Sequence, residues 1–97
     1  MSKEEIFDFL SAHKSEMLTR FGVKKIAIFG SVARGEHSDA SDIDIAIEMI
    51  PEKKNLRNFL GFKRFVEQGI GKTVDLGIES ALKPMVRDSI RKEIIYV

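Results

Sequence analysis

The chain has no cysteine, which excludes disulfides and thiolate metal sites at once. Long apolar runs are missing as well. None approaches the ~20 residues needed to span a bilayer, and the N-terminus reads as a charged helix start rather than a signal peptide. A cytoplasmic protein with no membrane partner is therefore expected. An excess of one charge is also lacking. With 16 Lys and Arg against 15 Asp and Glu, the formal net charge is +1, so nothing global suggests direct nucleic-acid binding. There is no internal repeat, low-complexity tract or long linker. What remains is 97 residues, 43% hydrophobic and 32% charged. That is enough for one core and too little for a separate substrate domain, so residues 1–97 are expected to form a single domain.

Ser2 with Glu5 three residues on is a capping-box signature for a first helix. Ile6, Phe9, Leu10, His13 and Met17 follow at helical spacing, with Gly22 as a stop and His13 as a partly buried structural histidine. Residues 24–29 read as a short buried strand, 30–35 as a turn opening a brief helix, and 36–41 as a polar loop. Asp42 to Glu48 alternates charged and apolar residues, as does Thr73 to Ile78, so both read as strands. Asn55 caps a long helix over 56–69 that Gly69 and Gly71 end, and Pro84 suits the first turn of a final helix reaching about Glu93. The order α-β-α-β-α-β-α predicts an α/β fold, a small mixed sheet with helices packed on it.

The chemistry lies between residues 30 and 44. Gly30-Ser31-Val32-Ala33-Arg34-Gly35 follows the apolar run Ile26–Phe29, and Ser41-Asp42-Ile43-Asp44 comes soon after. Glycine permits close approach of the backbone to a ligand, and a helix starting there aims unpaired N–H groups at an anion. Ser31 adds a hydroxyl donor. Arg34 either reaches a phosphate oxygen or braces the loop on a local carboxylate. Asp44 stands between Ile43 and Ile45, and Asp75 between Val74 and Leu76. A strand that buries those aliphatics turns each aspartate to its other face, and Asp42 shares the face of Asp44 at a Cα separation of roughly 6.6 Å. If the third strand lies beside the second, Asp75 joins them. Such a cluster needs protons or a cation, and an all-oxygen donor set favours Mg²⁺ or Mn²⁺ over zinc. Singly, Asp42 reads as a turn cap and Asp75 as a solvated surface residue; the pairing after a glycine-serine turn favours a metal site in an enzyme that handles a nucleoside triphosphate.

Two other segments mislead. Gly69-Ile70-Gly71-Lys72-Thr73 resembles the end of a Walker A loop, but Val66 occupies the earlier glycine position and a strand follows where a helix is needed. The acidic stretch from Asp39 is no EF-hand, because its sixth position is Asp44 rather than glycine.

Gly30-Ser31-x-Ala33-Arg34-Gly35, Ser41-Asp42-Ile43-Asp44 and Val74-Asp75-Leu76 together resemble the minimal nucleotidyltransferases of the DNA polymerase beta superfamily. The segments Leu82-Lys83-Pro84 and Ile95-Tyr96-Val97 are also similar to that family. The resemblance implies the polymerase-beta-type nucleotidyltransferase fold, with Gly30 and Ser31 on the triphosphate of ATP and Asp42, Asp44 and Asp75 as catalytic, metal-binding carboxylates. It further implies an antitoxin that silences a HEPN-type ribonuclease toxin by transferring AMP to a tyrosine. Two alternatives stand beside it: an antitoxin acting by contact alone, and an enzyme acting on a small hydroxylated molecule. The intact aspartates argue against the first and the missing acceptor domain against the second.

One surface expectation concerns the long helix. Leu56, Phe59, Leu60, Phe62, Phe65 and Val66 sweep an arc of roughly 220°, wider than one packed face requires. Phe62 and Phe65, at one edge of that arc, are expected to be left over as a patch that docks a toxin or a second copy in a homo-oligomer. The competing reading is that the final helix or the Lys63 and Arg64 stems cover them.

Overall fold

The computed structural model of the chain describes residues 2–38, 40–85, 88, 91 and 93–97. The capping box forms as its spacing requires: Ser2 Oγ accepts the Glu5 N–H at 3.1 Å and Glu5 Oε1 accepts the Ser2 N–H at 3.0 Å. The helix that it opens is not continuous. It divides into α1 (Lys3–Ala12) and α2 (Lys14–Phe21) at His13, whose backbone leaves the helical region. The His13 ring supports the bend. Its Nδ1 donates to the Phe9 carbonyl at 2.8 Å, and the ring stacks within 4.4 Å of Phe9, so this histidine is structural as expected.

Strand β1 (Val23–Phe29) leads directly into the short α3 (Gly30–Arg34), and β2 (Ile43–Met49) follows the polar loop. Asn55 Oδ1 accepts the Asn58 N–H at 2.8 Å and caps α4 (Leu56–Ile70), which crosses over to β3 (Val74–Ile78). Gly69 does not end that helix. A Cβ there would stand 2.1 Å from the Phe9 ring, so the glycine serves close packing of α4 on α1, and the stop is Gly71. A fourth strand that the sequence pattern does not announce, β4 (Ile95–Tyr96), closes the far edge. Pro84, Met85 and Asp88 are helical, whereas Arg91 and Glu93 are turn, short of the expected end at Glu93; residues 86–87, 89–90 and 92 lie outside the described residues.

The sheet order is β3-β2-β1-β4, with β2 and β3 parallel and the other pairs antiparallel. Alternation sorts its residues by face. Ile26, Ile28, Ile43, Ile45, Ile47 and Val74 join the helix residues Ile6, Leu10, Met17, Phe62 and Val66 in one buried cluster. Asp44, Ala46 and Glu48 point the other way, to the face opposite that cluster. No helix among the described residues is long and apolar enough to cross a membrane.

The expected Phe62/Phe65 patch does not exist. Phe62 is fully buried against Phe21, and Phe65 packs among Phe9, His13 and Phe21. The division of the first helix explains the difference: α1 and α2 both lie against α4, and together they cover the phenylalanine edge of its wide apolar arc. The residues left in solvent are at the opposite edge, Leu56 at 70% and Leu60 at 38% exposure.

Candidate active site

Register brings the site together. Across the parallel β2/β3 pair Asp44 stands directly opposite Asp75, and across the antiparallel pair it stands opposite Phe29, the last residue of β1. The chain therefore turns into α3 right beside the Asp44 carboxylate. Gly30 takes φ +70°, and a Cβ on it would lie 2.1 Å from Asp44 Oδ2. This glycine makes room for a carboxylate of its own chain, a constraint additional to the ligand approach expected from the sequence. Ser31 follows in the first turn of α3, whose leading N–H groups have no partner within the helix.

Asp42 is less integrated than its alternation suggests. It sits just before β2 and is exposed, while Asp44 is half-buried and Asp75 exposed. Among the described residues no three of these side chains close into one cage ready for a metal ion. The electrostatics nevertheless couple them. Asp44 is held above the ordinary carboxylate range by burial first, then by the charge of Asp75 and a hydrogen bond to it, then by the charge of Asp42; Arg34 opposes the shift. Like charges gathered on a half-buried oxygen are what a divalent cation relieves, so the donor set fits Mg²⁺ or Mn²⁺.

A stability prediction follows from that shift. Since its folded-state pKa is raised, Asp44 binds its proton more tightly in the native protein than in the unfolded chain. Its contribution is neutral below the unfolded value of 3.8, grows destabilising as pH rises from there towards the raised value, and levels off above it, persisting at neutral pH. In EDTA, the difference in melting temperature between Asp44→Asn and the wild type should grow from near zero in acid to a positive plateau at neutral pH. Added Mg²⁺ should narrow it by stabilising only the wild type. A difference that ignores pH and Mg²⁺ would contradict the coupling.

In this structure Arg34 makes the bracing contacts. Its Nε donates to Glu36 Oε2 at 2.9 Å and its Nη1 to Glu93 Oε2 at 2.7 Å, tying the α3 turn to the C-terminal segment. Both pairs are largely exposed and contribute little energy, but they fix the direction of the guanidinium. Glu93, 59 residues away, carries no local signal for this partnership.

A second polar cluster on the same sheet face escaped the sequence reading. Lys25 lies 3.3 Å from Glu79 Oε2 and 4.6 Å from the centre of the Tyr96 ring, and the Tyr96 hydroxyl donates to Glu79 Oε1 at 2.8 Å. That bond raises the Tyr96 pKa and keeps the phenol protonated. A cavity of about 330 Å³ opens there, lined by Lys25, Glu48, Glu79, Ser80, Arg91 and Tyr96 and by none of the aspartates. The alternation of β1 and β2 does place Lys25 and Glu48 on this face; the short β4 that brings Tyr96 does not show in the pattern.

The geometry has known counterparts. Residues 10–97 match the family described as "Nucleotidyltransferase domain". Protein adenylyltransferase MntA of Thermococcus cleftensis is 38% identical over 97 residues, covering 100% of this chain and 97% of that protein. Among solved structures, a "putative minimal nucleotidyltransferase" superposes with a TM-score of 0.82 at 30% identity, covering 98% of this chain and 95% of the other. A toxin–antitoxin structure with AMP-PNP superposes at 0.68 and 17% identity, covering 88% and 69%, a likeness of fold alone.

Proposed function

The chain belongs to the nucleotidyltransferase domain family, and from that premise we propose that it transfers AMP from ATP to a hydroxyl of a partner protein. The observation that carries this reading is the convergence of Gly30, Asp44 and Asp75 at one end of the sheet. A phosphate-binding turn and facing carboxylates then share one spot, as the two halves of nucleotidyl transfer require. A protein acceptor is supported by the relative from Thermococcus cleftensis, whose name is that of a protein adenylyltransferase. The motif resemblance extends the reading to an antitoxin whose acceptor is a tyrosine of a HEPN-type toxin.

The residues divide the work. The Gly30 backbone and the first N–H groups of α3 bind the triphosphate, with the Ser31 hydroxyl as a further donor. Asp42, Asp44 and Asp75 would hold Mg²⁺, which supplies charge compensation and lowers the pKa of the attacking hydroxyl. The acceptor oxygen attacks the α-phosphorus, its bond to pyrophosphate breaks, and Asp75 takes the acceptor's proton. Positioning and charge compensation do most of the catalysis, as in phosphoryl transfer generally. Arg34 keeps the turn in place through Glu36 and Glu93.

Incubation with ATP labelled at the α-phosphate and a candidate toxin tests the reading: a covalently labelled toxin and stoichiometric pyrophosphate are expected. Pyrophosphate release with label on small hydroxylated molecules, and none on protein, would overturn the protein acceptor. Ser31→Ala should weaken MgATP binding by less than roughly tenfold, since one neutral hydrogen bond contributes only ~1 kcal/mol. Isothermal titration checks it, and a hundredfold loss would mean that Ser31 has a larger role.

A further inference from the structure

We propose that the groove between α2 and α4 docks an acidic amphipathic helix of a different protein. The groove lies on the helical side of the sheet, away from the aspartates, and the proposal does not rest on the transfer reaction. Its charge is one-sided. From residue 53 to residue 66 the sequence carries Lys53, Lys54, Arg57, Lys63 and Arg64 and no acidic residue, in a chain whose overall charge is nearly balanced. The groove measures about 640 Å³ and is lined by Arg20, Arg57, Arg64, Asn58, Gly61 and Phe65 among others, with no carboxylate.

The floor and one end are built. A Cβ at Gly61 would stand 3.0 Å from the Phe21 ring, so the glycine lets α2 approach and sets the depth. The Arg20 guanidinium rests 4.9 Å from the centre of the Phe21 ring and 5.4 Å from that of Phe65, and Glu16 holds it at 3.0 Å. Arg57 and Arg64, two helical turns apart on α4, enter no ion pair among the described residues. Beside them runs an apolar ridge. At 100° per residue Leu60 lies within roughly 60° of both arginines, and Leu56 lies just beyond it. These are the two leucines that α4 leaves exposed.

Charge and ridge together select the occupant. A nucleic-acid backbone would satisfy the arginines but offer nothing to Leu56 and Leu60. A second copy related by a two-fold axis would set one arginine row against another. A helix with a leucine stripe flanked by glutamates meets both features at once, and the 15 residues of α4 give it about 22 Å to lie along.

Fluorescence anisotropy without nucleotide tests this, using a labelled alanine-based helical peptide that carries a leucine stripe beside a row of glutamates. Control peptides replace the glutamates by glutamine or the leucines by serine; single-stranded and duplex RNA oligonucleotides form the third arm. The wild type should prefer the first peptide over every control. Arg57→Glu with Arg64→Glu, and separately Leu60→Ser, should each weaken it by roughly tenfold or more, with melting curves confirming that the variants are folded. No preference among the peptides would overturn the proposal. So would RNA binding tighter than the peptide and insensitive to Leu60→Ser. Because no ATP is present, either failure leaves the transfer reading untouched.

Discussion

Asp44→Asn is expected to abolish nucleotide transfer, by roughly a thousandfold or more, while the protein remains folded. The amide keeps the shape of the side chain, so neither the β2 ladder nor the contact with the Gly30 backbone is disturbed. What disappears is the charge at the centre of the site, the one that faces Asp75 across the parallel strands. Its loss removes a cation ligand and relieves repulsion, so apo Asp44→Asn should be at least as stable as the wild type near neutral pH. This pairing of lost activity with kept or raised stability separates a functional carboxylate from a structural one. Asp42→Asn should likewise abolish transfer. Its exposed position before β2 predicts a smaller change in stability than at Asp44. Labelled ATP with the cognate acceptor measures the first effect and thermal melting the second. Undiminished transfer by the Asp44→Asn protein would sink the metal assignment.

Gly30→Val should be the most damaging change to nucleotide binding, lowering MgATP affinity by roughly a hundredfold or more. Two costs coincide at this position. The backbone is at φ +70°, a left-handed conformation that costs a β-branched residue about 1–2 kcal/mol or more. The new Cβ would also meet Asp44 Oδ2 at 2.1 Å, and both branches of valine lie beyond it. Either α3 tilts away, which moves the phosphate-binding N–H groups, or Asp44 moves, which dismantles the carboxylate pair. A calorimetric titration showing wild-type affinity in Gly30→Val would mean that the turn takes no part in binding ATP. Gly30→Ala gives a graded comparison, because it introduces the same first clash without the branches.

Much of the candidate site was legible because its signals are local. Alternation in Ile43-Asp44-Ile45 and Val74-Asp75-Leu76 assigns each aspartate to the face its neighbours avoid, whatever the rest of the fold does. The caps at Ser2 and Asn55 and the stop at Gly22 are similarly contained within a few residues. Where the reading failed, the missing information was not local. The first helix breaks at His13 because that ring finds the Phe9 carbonyl and the Phe65 ring, and the second contact is 52 positions away. Gly69 looks like a terminator until the ring of Phe9, on another helix, is set against it.

The sequence by itself determined which strand and helix residues face the core and which face away from it, since periodicity of two or 3.6 assigns a side within an element before any packing occurs. It also excluded thiolate ligands from any metal site, because no cysteine exists to supply one. Tertiary structure alone decided which faces meet. The parallel placement of β3 beside β2 sets Asp75 opposite Asp44, and the docking of α1 and α2 on α4 buries Phe62 while exposing Leu56 and Leu60. The two residues of β4 pair with β1 and bring Tyr96 to the face of the sheet that carries Asp44, too short a stretch for any pattern to mark. Arg34 reaches Glu93 only once the C-terminal segment has returned to the turn. Periodicity fixes orientation within an element, whereas contacts between elements depend on how the whole chain minimises its exposed apolar surface at once.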